Sequence, residues 1–168
     1  MTAENKKPRR KPGQEKEEIV GKVEYHKEIF SPILNNKRDI VVWLPIGYNP
    51  QRNPDKKYPV LYMHDGQNIM DPKTAYVGKD WRVDETVMKL IKQKKIKEII
   101  VVGIYNSPDR LDEYSWTQKG QNYLKFIVTE LKPFIDSAYK TLVDKDNTAI
   151  MGSSMGGLIS FYAGWHYP

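Results

Sequence analysis

A serine hydroxyl does covalent chemistry when the backbone holds it at an exposed tip beside donors that can stabilise a developing oxyanion. One stretch of this chain has the spacing for that. In Thr148-Ala149-Ile150-Met151-Gly152-Ser153-Ser154-Met155-Gly156-Gly157-Leu158 a short apolar run enters a Gly-x-Ser-x-Gly core and leaves into Ile159-Ser160-Phe161-Tyr162-Ala163. The pattern reads as strand, sharp turn and helix with a serine at the turn, the form of a nucleophile elbow. Strand and helix come into contact on either side of such a turn, so the flanking positions must lack side chains. Ser154 has glycine at both −2 and +2, whereas Ser153 has Met151 and Met155 there, which selects Ser154 as the candidate nucleophile. The same turn puts the Met155 N–H at a helix N-terminus, where free amides and the helix dipole favour an oxyanion.

The elements that must position this turn are legible upstream. Val23, Tyr25, Ile29 and Phe30 predict one strand and Arg38-Asp39-Ile40-Val41-Val42-Trp43-Leu44 another, with Asn35-Asn36 as the turn of an antiparallel hairpin at a sheet edge. Pro59-Val60-Leu61-Tyr62-Met63 is an apolar run of the kind buried on both faces of a parallel sheet, and it ends in His64-Asp65-Gly66-Gln67-Asn68. Polar residues and a glycine at the carboxyl end of a buried strand mark the edge where open α/β sheets keep their sites. A helix follows, capped by Asp80, with Asp84 and Glu85 in its first turn, Val83, Val87, Leu90 and Ile91 as its apolar stripe, and Lys92, Lys94 and Lys95 at its end.

Lys97 to Ile104 predicts a second buried strand, and the polar, aromatic loop from Tyr105 to Trp116 a segment at the same edge. A longer helix is expected from about Gly120 to Asp136, with Pro133 kinking it or opening its last turn. Strands alternating with helices at this spacing predict one α/β domain: a mostly parallel sheet covered by helices on both faces, joined to an antiparallel hairpin.

The chain has 168 residues, 29% of them charged and 39% hydrophobic, which suits one soluble globular domain with a polar tail. Residues 1–18 hold six Lys/Arg and four Glu with Pro8, Pro12 and Gly13, and read as a disordered basic arm ahead of a domain spanning 19–168. The net charge is +6, and outside the arm the excess gathers on no helical face or aromatic-interleaved patch, so neither nucleic acid nor membrane is an expected partner. An apolar signal region is absent, so the expected location is cytoplasmic, or secreted if a leader precedes this sequence. Cysteine is absent too, which excludes disulfides and thiolate metal sites.

With these motifs in hand the chain resembles an esterase family of α/β-hydrolases that includes feruloyl and acetylxylan esterases, enterochelin esterase, esterase D and mycolyltransferases. The resemblance runs from about Val23 onward and is carried by Asp39 to Pro45 with Gly47-Tyr48, by Tyr58 to Asn68, by Gly103-Ile104-Tyr105-Asn106, by Leu131 to Asp136 and by the elbow itself. It implies an α/β-hydrolase fold, acylation of Ser154, an oxyanion hole made by the amides of Met155 and Gln67, and no metal or organic cofactor. Asp65, Tyr105 and Asn106 are candidates for the substrate loops. The implied substrate is a small-molecule or carbohydrate-linked ester, with hydrolysis and acyl transfer both open.

The triad of such enzymes runs Ser, then Asp or Glu, then His along the chain. Fourteen residues follow Ser154; none is acidic, and His166 is the one histidine among them. In a helix His166 would lie about 18 Å along the axis from Ser154, out of reach. His64 precedes the elbow and is expected to brace a loop. The expectation is therefore the N-terminal part of a hydrolase domain, with nucleophile and oxyanion hole but without the acid and the base. The rival readings are a non-catalytic binding protein on a hydrolase frame that holds its ligand with the loop Tyr105–Trp116, and a basic arm that tethers the chain to an anionic polymer.

Overall fold

The computed structural model describes residues 19–168; the reading of residues 1–18 as a disordered arm lies outside the described residues. The elements run β1 (Lys22–Ser31), β2 (Asn36–Leu44), β3 (Val60–His64), a 3-10 turn (Gly66–Asn68), α1 (Val83–Lys92), β4 (Ile100–Ile104), α2 (Arg110–Glu113), α3 (Gln118–Phe126), a π turn (Ile127–Leu131), α4 (Lys132–Ala138), β5 (Thr148–Met151) and α5 (Met155–His166). They form one five-stranded sheet in the order β1-β2-β4-β3-β5.

The sheet is mixed. β1 pairs antiparallel with β2 and β2 antiparallel with β4, while β3 pairs parallel with both β4 and β5. The expected parallel core is present, but the pairings divide evenly instead of being mostly parallel. The reason is that β2 docks directly on β4, making the hairpin part of the sheet rather than an appendage.

From β3 the chain crosses to β4 on one side and then from β4 past β3 to β5 on the other. Right-handed crossovers in opposite directions place their helices on opposite faces. The packing shows this through the period of two along β2. Ile40, Val42 and Leu44 join Tyr62, Val102, Leu124, Ile135 and Ile159 in one cluster, while Val41 and Trp43 join Met63, Val87 and Met88 in the other. Strand β4 is enclosed on both sides, with Ile100, Val101, Val102 and Ile104 fully buried.

Two local expectations change. Arg82, in the left-handed region at φ 55°, is the N-cap of α1, and Asp80 Oδ2 accepts the Arg82 N–H at 3.0 Å instead of capping the helix itself. The second is refined: Pro133 opens the last stretch of the long helix, as expected, but does so behind a widened turn. It sits at the start of α4 just after the π turn. A proline without an N–H cannot bond the carbonyl four residues back, so the helix widens there.

Beyond β4, Arg38 ties the following loop to the hairpin. Its guanidinium NH2 donates to Glu113 Oε1 at 2.7 Å, with both side chains buried, and Ser107 Oγ donates to Glu113 Oε2 at 2.8 Å. At the other margin β5 bonds β3 along one edge. A groove of about 550 Å³ lined by Tyr62, Leu124, Ile127, Thr148, Ile150 and Tyr167 runs beside it.

Candidate active site

Ser154 stands between the last residue of β5 and the first turn of α5 with φ 55° and ψ −122°, a conformation that costs a non-glycine residue about 1–3 kcal/mol. The helix that follows holds it there. Gly157 and Leu158 donate to the Ser154 carbonyl at 2.9 and 3.2 Å, and Gly156 donates to Ser153 at 2.8 Å.

The glycines are required by contact. A Cβ on Gly152 would lie 2.8 Å from the carbonyl carbon of Gly156 and 2.9 Å from its Cα, and a Cβ on Gly156 would lie 3.3 Å from His64 Cβ. Strand and helix thus touch backbone to backbone under the serine, and the helix start rests on the end of β3. As the first helical residue, Met155 has an N–H with no acceptor inside α5, and the helix dipole adds positive potential at that point.

The end of β3 supplies the facing wall. Asp65 is also left-handed, at φ 56° and ψ 44°, and its carbonyl accepts Asn68 N–H at 2.9 Å to close the 3-10 turn. Gly66 is pressed onto β4: a Cβ there would sit 2.4 Å from the carbonyl carbon of Gly103 and 2.6 Å from Ile104 N. Gln67 lies in this turn, past the ladder that ends at His64 opposite Ile104. Its carbonyl accepts Thr74 Oγ1 at 2.7 Å and its side-chain Oε1 accepts Asn106 N–H at 3.3 Å, so it is held from two directions.

Asp65 and Asn106 come together, and their bonds are internal. Asp65 is buried; Arg110 donates to both of its carboxylate oxygens at 2.7 Å, and Asn106 Nδ2 donates to Oδ1 at 2.7 Å. The Asp65 N–H donates to Tyr114 Oη at 3.1 Å. This is a fork-on-carboxylate clamp that locks the turn carrying Gln67 to the loop after β4. Tyr105 is half-buried, with its N–H on the Asp39 carbonyl at 3.1 Å and Lys27 Nζ 5.8 Å from its ring centroid. Arg110 is the positioning residue that the sequence reading did not single out. No local signal pairs an arginine in one loop with an aspartate 45 positions earlier.

His64 is fully buried, with Nδ1 2.8 Å from Tyr123 Oη and its ring against Tyr114 and Tyr123 at centroid separations of 5.1 and 5.5 Å. These contacts brace β3 to α3. Burial pushes its pKa down to about 4, so the ring is neutral at pH 7. His166, at the far end of α5, stacks on Trp116 with centroids 4.0 Å apart. Asp80, Asp84 and Glu85 form the one group of carboxylates among the described residues close enough to share a cation. Val20 N–H already engages Asp84 at 2.7 Å and Arg82 engages Glu85 at 3.0 Å.

His64 and Asp84 set opposing pH dependences. Unfolded His64 titrates at 6.5 and folded His64 near 4, so between those values the unfolded chain takes up a proton that the folded one refuses, and stability falls as pH falls. Burial and the neighbouring Glu85 push Asp84 from 3.8 up to about 6, so in that window the folded state keeps a proton the unfolded chain has released, and stability falls as pH rises. Removing Asp84 by Asp84→Asn is therefore expected to expose the histidine effect: stability should drop on the order of 3 kcal/mol from neutral pH to about pH 4, more steeply than in the parent. His64→Gln should change the slope in the opposite sense. Urea midpoints across the range measure both, and equal slopes in all three proteins would refute the assignment.

The family model described as "Putative esterase" matches residues 31–168. An uncharacterized Bacillus subtilis protein, YjcH, is 27% identical over 145 residues, which covers 84% of this chain and 55% of that protein. The endo-1,4-beta-xylanase/feruloyl esterase of Xylanibacter ruminicola is 32% identical over 122 residues, covering 70% of this chain and 16% of that protein. Among solved structures a ferulic acid esterase superposes with a TM-score of 0.64 at 29% identity, over 89% of this chain and 54% of that one. The chain thus spans about half the length of YjcH and of the ferulic acid esterase.

Proposed function

The chain belongs to this esterase family, and on that premise we propose that it supplies the nucleophile half of a serine carboxylic-ester hydrolase. The observation that carries the proposal is Ser154 itself: a non-glycine residue at φ 55° between two glycines whose backbones touch, at the N-terminus of a twelve-residue helix. Ser154 Oγ attacks the ester carbonyl, and the carbon becomes tetrahedral. The amides of Met155 and Gln67 hold the resulting oxyanion. The alkoxide collapses, the alcohol leaves with a proton, and water then cleaves the acyl-serine by the same steps.

The proton is carried by a histidine paired with an acid, which the described residues do not bring to Ser154. Two facts support this: the segment after Ser154 contains no acid, and this chain matches only about half the length of YjcH and of the ferulic acid esterase. His64 is a poor base, because it is buried, engaged by Tyr123 and held neutral. The substrate class supported by the two named feruloyl-type relatives is a carbohydrate-linked or small aromatic-acyl ester.

The test is turnover of an activated aryl ester by the 168-residue chain and by the protein extended to the length of its relatives. Strong hydrolysis is expected only from the extended form, because oxyanion hole and binding alone leave about 10³ to 10⁴ over water. Vigorous, Ser154-dependent hydrolysis by the short chain would instead place the base within residues 1–168.

A further inference from the structure

The turn after the Gln67 segment contradicts ordinary turn chemistry. Gly78 N–H donates to the Ala75 carbonyl at 3.0 Å, which makes Ala75–Gly78 a β-turn with Tyr76 and Val77 at its two central positions. Those positions are the usual place of Pro, Asn, Asp, Ser and Gly. Here they hold two large apolar side chains, 90% and 76% exposed, and Tyr76 is the most exposed large apolar residue among the described residues. Trp81, which follows, is 39% exposed. Scattered apolar residues on a surface are commonplace, but these are displayed on a hydrogen-bonded mount.

The mount is built from the site outward. Thr74 and Ala75 N–H both donate to the Asp71 carbonyl at 3.1 Å, and Ala75 is buried. Thr74 Oγ1 donates to the Gln67 carbonyl at 2.7 Å, Tyr76 N–H to Asn68 Oδ1 at 2.8 Å, and Trp81 N–H to the Asn68 carbonyl at 2.8 Å. Every one of the last three bonds ends on the turn that carries the proposed oxyanion donor. Where local sequence preference and structure disagree, a functional or strained site is the expected reason.

Resting on the esterase reading above, we propose that Tyr76, with Val77 next to it in the turn, is the platform on which the sugar portion of a carbohydrate-linked ester lies. The acyl group must be enclosed next to Ser154, and a convex turn tip encloses nothing. It suits the part of the substrate that stays outside. An exposed aromatic face matches the apolar C–H face of a sugar ring, and the exposed Lys73 and Lys79 on the same loop offer N–H donors to hydroxyls.

The test uses the 168-residue chain and soluble arabinoxylan, a neutral pentose polymer, in affinity electrophoresis at high salt, which screens the +6 net charge. The parent should be retarded. Tyr76→Ala should weaken the association about threefold to tenfold, Tyr76→Phe should largely preserve it, and Trp165→Ala, an exposed aromatic on α5, should leave it unchanged. Circular dichroism of each variant checks the fold. Absence of retardation in the parent, or equal retardation of Tyr76→Ala, overturns the platform. No turnover is involved, so retardation that depends on Tyr76 supports the platform whatever hydrolysis shows. Failed hydrolysis by the extended protein counts against the esterase reading alone.

Discussion

Ser154→Ala in the extended protein is expected to lower kcat/KM for an aryl ester by about 10⁴ to 10⁶, while Ser154→Gly, equally inactive, should be more stable than the parent by about 1 kcal/mol. The two effects have one cause. Ser154 is held at φ 55°, where an L side chain is strained and glycine is not. That strain persists because the bonds from Gly157 and Leu158 to the Ser154 carbonyl, and the contact between Gly152 and Gly156, leave the chain no other path. Alanine removes the hydroxyl but keeps the strain; glycine removes both. Steady-state kinetics and denaturant midpoints of the three proteins measure the pair of effects. A Ser154→Ala enzyme with near-parent turnover would end the nucleophile assignment. A Ser154→Gly protein less stable than Ser154→Ala would show that the elbow is not strained.

The second large effect concerns stability. Arg38→Ala is expected to destabilise the fold by about 3–5 kcal/mol, because it leaves the Glu113 carboxylate buried without its cation. The pair is closed on all sides: side-chain exposures are 1% and 3%, and the Arg38 guanidinium lies 5.2 Å from the ring centroids of both Tyr123 and Phe126. Ser107 and Asn36 also bond to the pair, so the loop after β4 loses its anchor together with the charge. The double variant Arg38→Met with Glu113→Leu should recover most of the loss, since replacing both charges removes the desolvation penalty with the attraction. Chemical denaturation of the single and double variants decides between the possibilities. A double variant as unstable as Arg38→Ala would mean that the polar bonds to Ser107 and Asn36, not the unpaired charge, dominate.

The Arg110–Asp65 clamp shows how much of the site could be read from the chain alone. The segment from His64 to Asn68 is recognisable as a strand end that carries polar residues, and Asp65 and Asn106 were both selectable by type and place. Their role was not. In the fold Asn106 and Arg110 both donate to the Asp65 carboxylate, so it does not face open space. Asp65 acquires a common purpose with Asn106 and Arg110, 41 and 45 positions later, only when β3 and β4 lie side by side in register, His64 opposite Ile104.

What the sequence by itself determined is what depends on neighbours within a few residues. The apolar runs of the strands, Asn35 in the hairpin turn that ends one residue earlier than the Asn35-Asn36 pair suggests, the place of Pro133 in the long helix and the glycines around Ser154 are all local, and steric and hydrogen-bonding rules act on them directly. The serine at the elbow belongs here, since Gly152 and Gly156 are needed for a contact made within five residues. Only the tertiary structure decided that β2 pairs with β4, so that the sheet is evenly mixed, that Arg82 rather than Asp80 caps α1, and that Tyr76 stands exposed while Tyr114 is enclosed. Strand order and side-chain exposure depend on contacts between segments tens of residues apart. An aromatic residue in a loop has the same local signature whether the fold covers it or displays it, and the packing of β3, β4 and α3 around the site settles which of the two occurs.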